Sequence, residues 1–190
     1  MKRLLVAILA LILMSTTVSA APAMADEEIF PQIAGNTFNF LSGTGGWSTE
    51  IILSEDGSFT GLFHDWDLGD IGDDYPEGTY YECSFSGMFI MVGKIDPYTY
   101  ELRLTALDLE EEAGVESIVD GVRIISSGAY GIEGGEMFML YLPGKATADL
   151  PGNFLEWMRM PNAWEETPDT LPFYGLYNAE EEFGFFSYVE

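Results

Sequence analysis

Positively charged side chains are scarce in this sequence, and their scarcity narrows the range of possible partners. Seven Lys and Arg residues face 32 Asp and Glu residues, which gives a net charge of −25 at pH 7. A surface of this sign repels phosphate backbones and anionic lipid headgroups, whereas nucleic-acid binding depends on clustered cations. We therefore predict that nucleic acid is not a partner.

Cysteine and histidine each occur only once, as Cys83 and His64. A lone cysteine cannot close an intramolecular disulfide, so the folded state must be stabilised by its core. Cys83 lies in a strand-like run, where a buried and unreactive thiol is expected. A zinc site needs several Cys or His ligands, and no Gly-x-Ser-x-Gly elbow accompanies His64. We therefore assign no catalytic residue and no zinc site.

Long hydrophobic runs are also missing, although a short one opens the chain. Lys2 and Arg3 precede the apolar residues 4–14, and small residues follow as far as Ala25. This order is typical of an export signal that is cleaved after Ala20 or Ala25. The run is shorter than the roughly 20 residues that a helix needs to cross a bilayer. We predict a secreted protein with no membrane span after cleavage.

Residues 26–190, which follow the predicted signal at residues 1–25, have the length of one ordinary domain. Loss of Lys2 and Arg3 leaves five cations against 32 acids, so the net charge becomes −27. Short apolar and aromatic runs alternate with Gly, Asn, Pro and Asp-Gly, which is typical of all-β proteins. We predict a monomer with an antiparallel meander of about eight to ten strands closed into a barrel, with a β-sandwich as the alternative.

Turn residues mark the predicted hairpins. The clearest hairpin joins residues 47–53 to residues 58–63, and Gly57 in its turn adopts a positive φ without steric strain. Further strands are predicted at residues 78–85, 88–94, 99–107, 117–119, 122–125 and 136–142, with turns at Ser86-Gly87, Asp96-Pro97-Tyr98 and Asp120-Gly121.

The pattern changes near the C-terminus. Residues 151–158 place apolar side chains at helical spacing, which predicts one short amphipathic helix. Two aromatic strands then follow at residues 173–177 and 183–189, with the polar residues 178–182 as the tip of a closing hairpin.

The residues Gly45-Gly46-Trp47 resemble the Gly-x-Trp start of the lipocalin and avidin (calycin) β-barrels. The hairpin Asp56-Gly57-Ser58-Phe59-Thr60-Gly61 is similar to the first hairpin of avidin-like and bacterial lipocalin-like domains. The whole chain also resembles uncharacterised secreted bacterial proteins. The resemblance implies a barrel in which Trp47 packs across one end and a small molecule is bound.

A loop rich in carboxylates follows the second predicted strand. Five Asp residues fall within residues 65–74 and are interleaved with glycines, a donor set that suits Ca²⁺. The spacing departs from that of an EF-hand loop. Asp70 occupies the position where an EF-hand has glycine, and Pro76 occupies the position of the bidentate Glu. A Ca²⁺ site and a solvated loop are the two alternatives, and the candidate ligands are Asp65, Asp67, Asp70, Asp73 and Asp74.

Trp66, Tyr75 and His64 lie in or beside this loop and are the predicted ligand-binding residues. We expect a secreted, non-catalytic binding protein for a small apolar or amphipathic ligand, held in an apolar cavity of about 300 Å³ or more. The alternative is an extracellular interaction module, assisted by Ca²⁺ through the acidic loop. A small hydrolase acting through His64 is the third hypothesis.

Overall fold

Strands joined by turns dominate the described part of the chain, as the sequence pattern predicts. The computed structural model describes residues 29–43, 46–159 and 161–187, so the predicted export signal lies outside the described residues. The two helices in these ranges are α1 (Ile29–Ile33) and α2 (Gly152–Arg159), and a 3₁₀ turn covers Thr147–Asp149. The strands are β1 (Thr37–Leu41), β2 (Trp47–Leu53), β3 (Ser58–Asp67), β4 (Thr79–Asp96), β5 (Thr99–Leu109), β6 (Glu116–Val119), β7 (Val122–Ser126), β8 (Met137–Tyr141), β9 (Gly175–Asn178) and β10 (Phe183–Ser187).

Eight of these strands close into an antiparallel barrel. The ladder runs from β1 through β2, β3, β4 and β5 to β8, β9 and β10, and β10 pairs with β1 to complete the ring. The remaining hairpin, β6–β7, attaches through β7, which runs parallel to the first residues of β4. The prediction of a mainly β chain closed into a barrel is confirmed, and the sandwich alternative is not what forms.

Local turn chemistry accounts for the predicted hairpins that are observed. Gly57 takes φ +87° between β2 and β3, and Asp120 and Gly121 take φ +51° and +82° between β6 and β7. Two consecutive residues at positive φ suit the right-handed twist of flanking strands, which explains the two-residue connection. The turn after Asp96 also forms where the sequence predicts it.

The predicted turn at Ser86-Gly87 is wrong, because β4 runs through both residues without a break. Gly87 pairs with Phe59 of β3, and the ladder to β5 begins at Phe85 and continues past Gly87. Glycine in a strand often marks a close approach by another group rather than a turn. Here the approaching group is the aromatic ring of Phe59.

Aromatic rings supply most of the barrel interior. The Phe59 and Phe89 rings stack with centroids 4.8 Å apart, and Phe89 meets Phe138 edge-on at 4.9 Å. Alternate strand residues point inward, so successive strands contribute rings to the same interior. Nine inward aromatic side chains that are at most 6% exposed are Phe38, Phe40, Phe59, Phe63, Phe85, Phe89, Tyr100, Phe138 and Phe185.

Different groups close the two ends of the barrel. Helix α1 buries Ile29 and Ile33 in the core, and its Phe30 ring lies against the β2–β3 turn near Gly57. At the other end of β2, the Trp47 ring packs edge-on against Phe40 at 4.8 Å. Neither α1 nor β1 is predicted from the sequence.

Helix α2 packs on the outside of the barrel, within one residue of its predicted bounds. Its Phe154 and Met158 are fully buried against Tyr141, Tyr177 and other outward residues of β8, β9 and β10. The closing hairpin is observed as β9 and β10, while the predicted residues 188 and 189 lie outside the described ranges. Within the described ranges, no helix has the length and apolarity needed to cross a bilayer.

Candidate functional site

The predicted ligand residues His64 and Trp66 lie together on the outer face of β3. Tyr80 of β4 joins them, with its ring centroid 4.7 Å from that of Trp66 and 6.2 Å from that of His64. The hydroxyl of Ser48 lies 3.3 Å from His64 Nδ1. These side chains therefore form a partly exposed aromatic row on the outer barrel wall, in which Trp66 is the most exposed member, rather than a lining of the interior.

Tyr75, the third predicted ligand residue, lies apart from this row and packs against Arg123 of β7. The guanidinium carbon lies 4.6 Å from the centre of the Tyr75 ring, a cation–π arrangement. Arg123 also binds the carboxylate of Asp70, and its Nε donates to Thr79 Oγ1 at 3.2 Å. Arg123 thus attaches the acidic loop to the β6–β7 hairpin, a link that the sequence did not predict.

Two of the five predicted Ca²⁺ ligands are engaged in bonds within the protein. Asp67 Oδ1 accepts hydrogen bonds from the backbone N–H groups of Gly69 and Asp70, at 2.9 and 3.2 Å. Asp70 itself is paired with Arg123. Across residues 29–43, 46–159 and 161–187, no group of three or more His, Cys, Asp or Glu side chains is arranged to hold a metal ion. Ca²⁺ binding by this loop stays a prediction.

A groove of about 580 Å³ lies on the opposite side of the barrel wall from its aromatic interior. On β8, Met139 and Tyr141 alternate with the inward residues Phe138 and Leu140, so they face outward toward α2. We call this feature the outer groove, and its lining residues are Ile95, Asp96, Thr99, Met139, Tyr141, Lys145, Ala148, Asp149, Leu150, Pro151, Tyr177 and Ala179.

An ion pair lies in the outer groove among these largely apolar side chains. Lys145 Nζ lies 2.7 Å from Asp96 Oδ2, and the Lys145 side chain is only 12% exposed. Asp96 also accepts hydrogen bonds from the Tyr98 N–H and the Thr99 hydroxyl. The hydrogen bond from Lys145 is the main cause that lowers the pKa of Asp96. The Asp96 carboxyl is therefore charged at neutral pH.

Two tyrosines give the outer groove additional polar edges. Burial is the main cause that raises the pKa of Tyr141, with smaller contributions from Tyr177 and Asp96. Burial likewise raises the pKa of Tyr177, and Glu182 adds to the effect. Both phenols therefore stay protonated at neutral pH and retain an O–H that is able to donate a hydrogen bond.

Cys83 is buried and carries a free thiol. Burial is the main cause that raises its pKa to about 11, and the nearby carboxylates of Glu133 and Glu110 raise it further. A thiol with this pKa is almost entirely protonated at neutral pH, and the protonated form is a poor nucleophile. The geometry is therefore that of an unreactive cysteine.

Sequence reasoning missed the outer groove because its members come from distant parts of the chain. Lys145 and Asp96 are 49 residues apart. One signal was available: Lys145 is among the few cations in a chain with 32 acids, and it follows the Pro143-Gly144 turn. That signal marks a residue of interest, but it does not identify the partner.

Comparisons with known protein families, with characterised proteins and with solved structures give no match to this chain. The outer groove is therefore interpreted from its own geometry and charge.

Proposed function

We propose that this chain is an exported binding protein that holds a small amphipathic molecule in the outer groove. The observation that carries the proposal is a largely apolar groove of about 580 Å³ that contains an ammonium–carboxylate pair, in which the Lys145 side chain is 12% exposed and the Asp96 side chain 32% exposed. Ligand sites of small molecules commonly measure about 300–1,000 Å³ and combine an apolar lining with a few polar groups that orient the ligand.

The charges of the groove favour a neutral or cationic head group over an anionic one. Asp96 and Asp149 contribute two carboxylates, whereas Lys145 is the one ammonium among the lining residues and is already paired. The rest of the chain adds a strongly negative field. A fatty acid would be repelled, while an alkyl glycoside or an alkylammonium ion would not.

We also propose kinship with the lipocalin and avidin-like barrels. The closed eight-strand antiparallel barrel and the packing of Trp47 at one end support it. Small barrels of that kind hold a ligand inside. In this chain, aromatic rings such as Phe59, Phe89 and Phe138 occupy the interior, so we assign the ligand to the outer groove instead.

Three probes with the same eight-carbon chain test the proposal: octyltrimethylammonium, octyl glucoside and octanoate, each below its micelle concentration. Calorimetric titration of the protein should show saturable binding of the first two and at least tenfold weaker binding of octanoate. Native mass spectrometry of the exported protein should in addition show a co-purified small molecule. Absence of binding by all three probes would contradict the proposal.

A substitution that fills the outer groove with a bulky side chain tests where the probes bind, and the same substitution outside the groove is its control. Ala148→Trp adds a large ring at an exposed groove position, while Ala113→Trp adds the same ring at an exposed position in the β5–β6 connection. Ala148→Trp should abolish probe binding and Ala113→Trp should leave it unchanged, with both variants keeping the wild-type circular dichroism spectrum. Equal binding by the two variants would place the probe elsewhere and refute the assignment.

A further inference from the structure

Strand β6 forms one end of the sheet, and its second edge is open. It pairs with β7 on one side, and the sheet order gives it no second neighbour in the described part of the chain. All four of its residues are exposed. An open strand edge carries unpaired N–H and C=O groups and is a template for the addition of another strand.

The hydrogen-bond register identifies the backbone groups on the open edge. The Ser126 N–H of β7 donates to the Val115 oxygen. On the other side of β7, the Arg123 N–H donates to the oxygen of Gly78, just before β4, and the Ser127 N–H donates to Glu82 of β4. Antiparallel pairs alternate between bonded and non-bonded, so Ser117 and Val119 face β7 in the register observed. Glu116 and Ile118 therefore direct their N–H and C=O groups away from the sheet, which provides two donors and two acceptors.

Apolar side chains flank this edge on both faces of the hairpin. Ile118 is 50% exposed and Val119 is 51% exposed, and they lie on opposite faces because they are consecutive in a strand. Val115, just before the strand, is 45% exposed. An added strand would cover these side chains while its backbone paired with Glu116 and Ile118.

The charge around the edge determines which kind of strand fits. Five exposed acids lie in β6, in its turn to β7 or in the segment that leads into it, namely Glu110, Glu111, Glu112, Glu116 and Asp120. Arg123 is the one cation between residues 104 and 144, and its guanidinium is bound to Asp70. A second copy of this chain would bring the same acids against these, and like charges at close range oppose pairing.

We propose that β6 is a docking edge for an extended, basic segment of another protein, which adds as a further strand beside β6. Backbone hydrogen bonds to Glu116 and Ile118 give affinity, and the acids select lysine or arginine side chains. The inference is independent of the outer groove, because no residue of β6 lines that groove.

A capped heptapeptide of alternating lysine and valine is the probe. Amide hydrogen exchange of the full exported protein, measured by NMR, reports where it binds. At a peptide concentration of about ten times its Kd, exchange at the Glu116 and Ile118 amides should slow about tenfold. The Ser117 and Val119 amides, which already face β7, should change little. The peptide with glutamate in place of lysine should not bind.

Two variations separate strand addition from charge attraction alone. The lysine–valine peptide methylated at every backbone nitrogen keeps its charges but cannot pair as a strand, so it should lose binding. In the protein, Ile118→Pro removes an N–H that faces the open edge and donates no hydrogen bond in the β6–β7 ladder, whereas Ile118→Thr keeps that N–H. Ile118→Pro should weaken binding at least tenfold, and Ile118→Thr should not. Thermal unfolding checks that both variants fold.

Several results would overturn the proposal. They are failure of the unmethylated peptide to bind, equal binding of the methylated peptide, and binding without slower exchange at Glu116 and Ile118. Without peptide, the exchange at these amides should not depend on protein concentration. If it became slower as the protein concentration rose, a second copy of the chain would occupy the edge, and this would also contradict a basic partner.

Discussion

Gly61 and Phe85 face each other across the β3–β4 ladder, and a Cβ on Gly61 would come within 2.3 Å of the Phe85 ring. Gly87 and Phe59 repeat the arrangement with the strands exchanged, again at 2.3 Å. The Phe59 ring and the Phe85 ring thus each lie over a glycine of the neighbouring strand. The two glycines make it possible for both rings to fit side by side in a closed barrel.

Gly87→Ala should therefore destabilise the protein by about 1–3 kcal/mol, because the added methyl group overpacks the interior. Urea denaturation followed by circular dichroism measures the change. Gly93→Ala is the control on the same strand, since its Cβ meets nothing within 4 Å. An equal loss of stability in both variants would show that the backbone, rather than the Phe59 ring, is responsible.

A double-mutant cycle tests the contact between Gly87 and Phe59, because it measures whether the two substitutions affect the free energy of unfolding independently. Phe59→Leu should be destabilising alone, but adding Gly87→Ala to it should cost less than Gly87→Ala costs in the wild type. The smaller side chain removes the clash of the methyl group with the ring, while the Ala106 oxygen at 2.7 Å remains close to it. Contacting residues commonly show coupling energies of about 0.5–3 kcal/mol. Strictly additive free energies of unfolding would contradict the contact.

Asp96→Asn should lower stability at neutral pH by about 1–2 kcal/mol, because the largely buried Lys145 ammonium loses its charged partner. The pKa of Asp96 is lowered in the folded protein, so its contribution is present above the pKa of the unfolded carboxyl and is lost as the pH falls through the folded value. The difference in the free energy of unfolding between the wild type and the variant should shrink below about pH 4.

Urea denaturation of both proteins between pH 7 and pH 2 measures this difference. Asp149→Asn is the control, because it removes an exposed acid of the same groove that the Lys145 side chain does not bind. A difference between wild type and Asp96→Asn that is constant with pH would contradict the role of the ion pair.

The Cys83 thiol should react slowly with a disulfide reagent at pH 8. A pKa of about 11 reduces its thiolate fraction, and relative to a free cysteine of pKa about 8.5 the reduction is roughly two orders of magnitude. The rate should rise as the pH approaches 11 and on unfolding in urea. The control moves the thiol to an exposed turn, as Cys83→Ser with Ser54→Cys, and should react quickly when folded. If the Cys83 thiol of the folded wild-type protein reacted as quickly as this exposed thiol, the burial of Cys83 would be refuted.

Arg123→Gln should loosen the acidic loop without unfolding the barrel. The guanidinium binds Asp70, Thr79 and the Tyr75 ring together, and glutamine can replace few of these contacts. Cleavage within residues 68–78 by a protease specific for acidic residues should become several-fold faster, as mass spectrometry of the fragments would show. Arg103→Gln, at an exposed position on β5, should leave the cleavage rate at the wild-type value.

The sequence by itself was sufficient for features that depend on few neighbouring residues. The positive φ at Gly57 and Gly121 and the helical spacing of α2 are local properties, and they predicted two hairpins and a helix correctly. The closed barrel was the favoured prediction, because closure removes strand edges, but the sequence left a β-sandwich as the alternative and the tertiary structure decided between them.

Only the tertiary structure decided what the glycine at position 87 does and where the charged groups meet. A glycine permits a turn or a close approach by a ring, and the register of β3 against β4 determines which occurs. Lys145 reaches Asp96 and Arg123 reaches Asp70 because barrel closure and the added hairpin bring distant strands together. Such pairings depend on strand order and register, which the sequence pattern of any single strand does not contain.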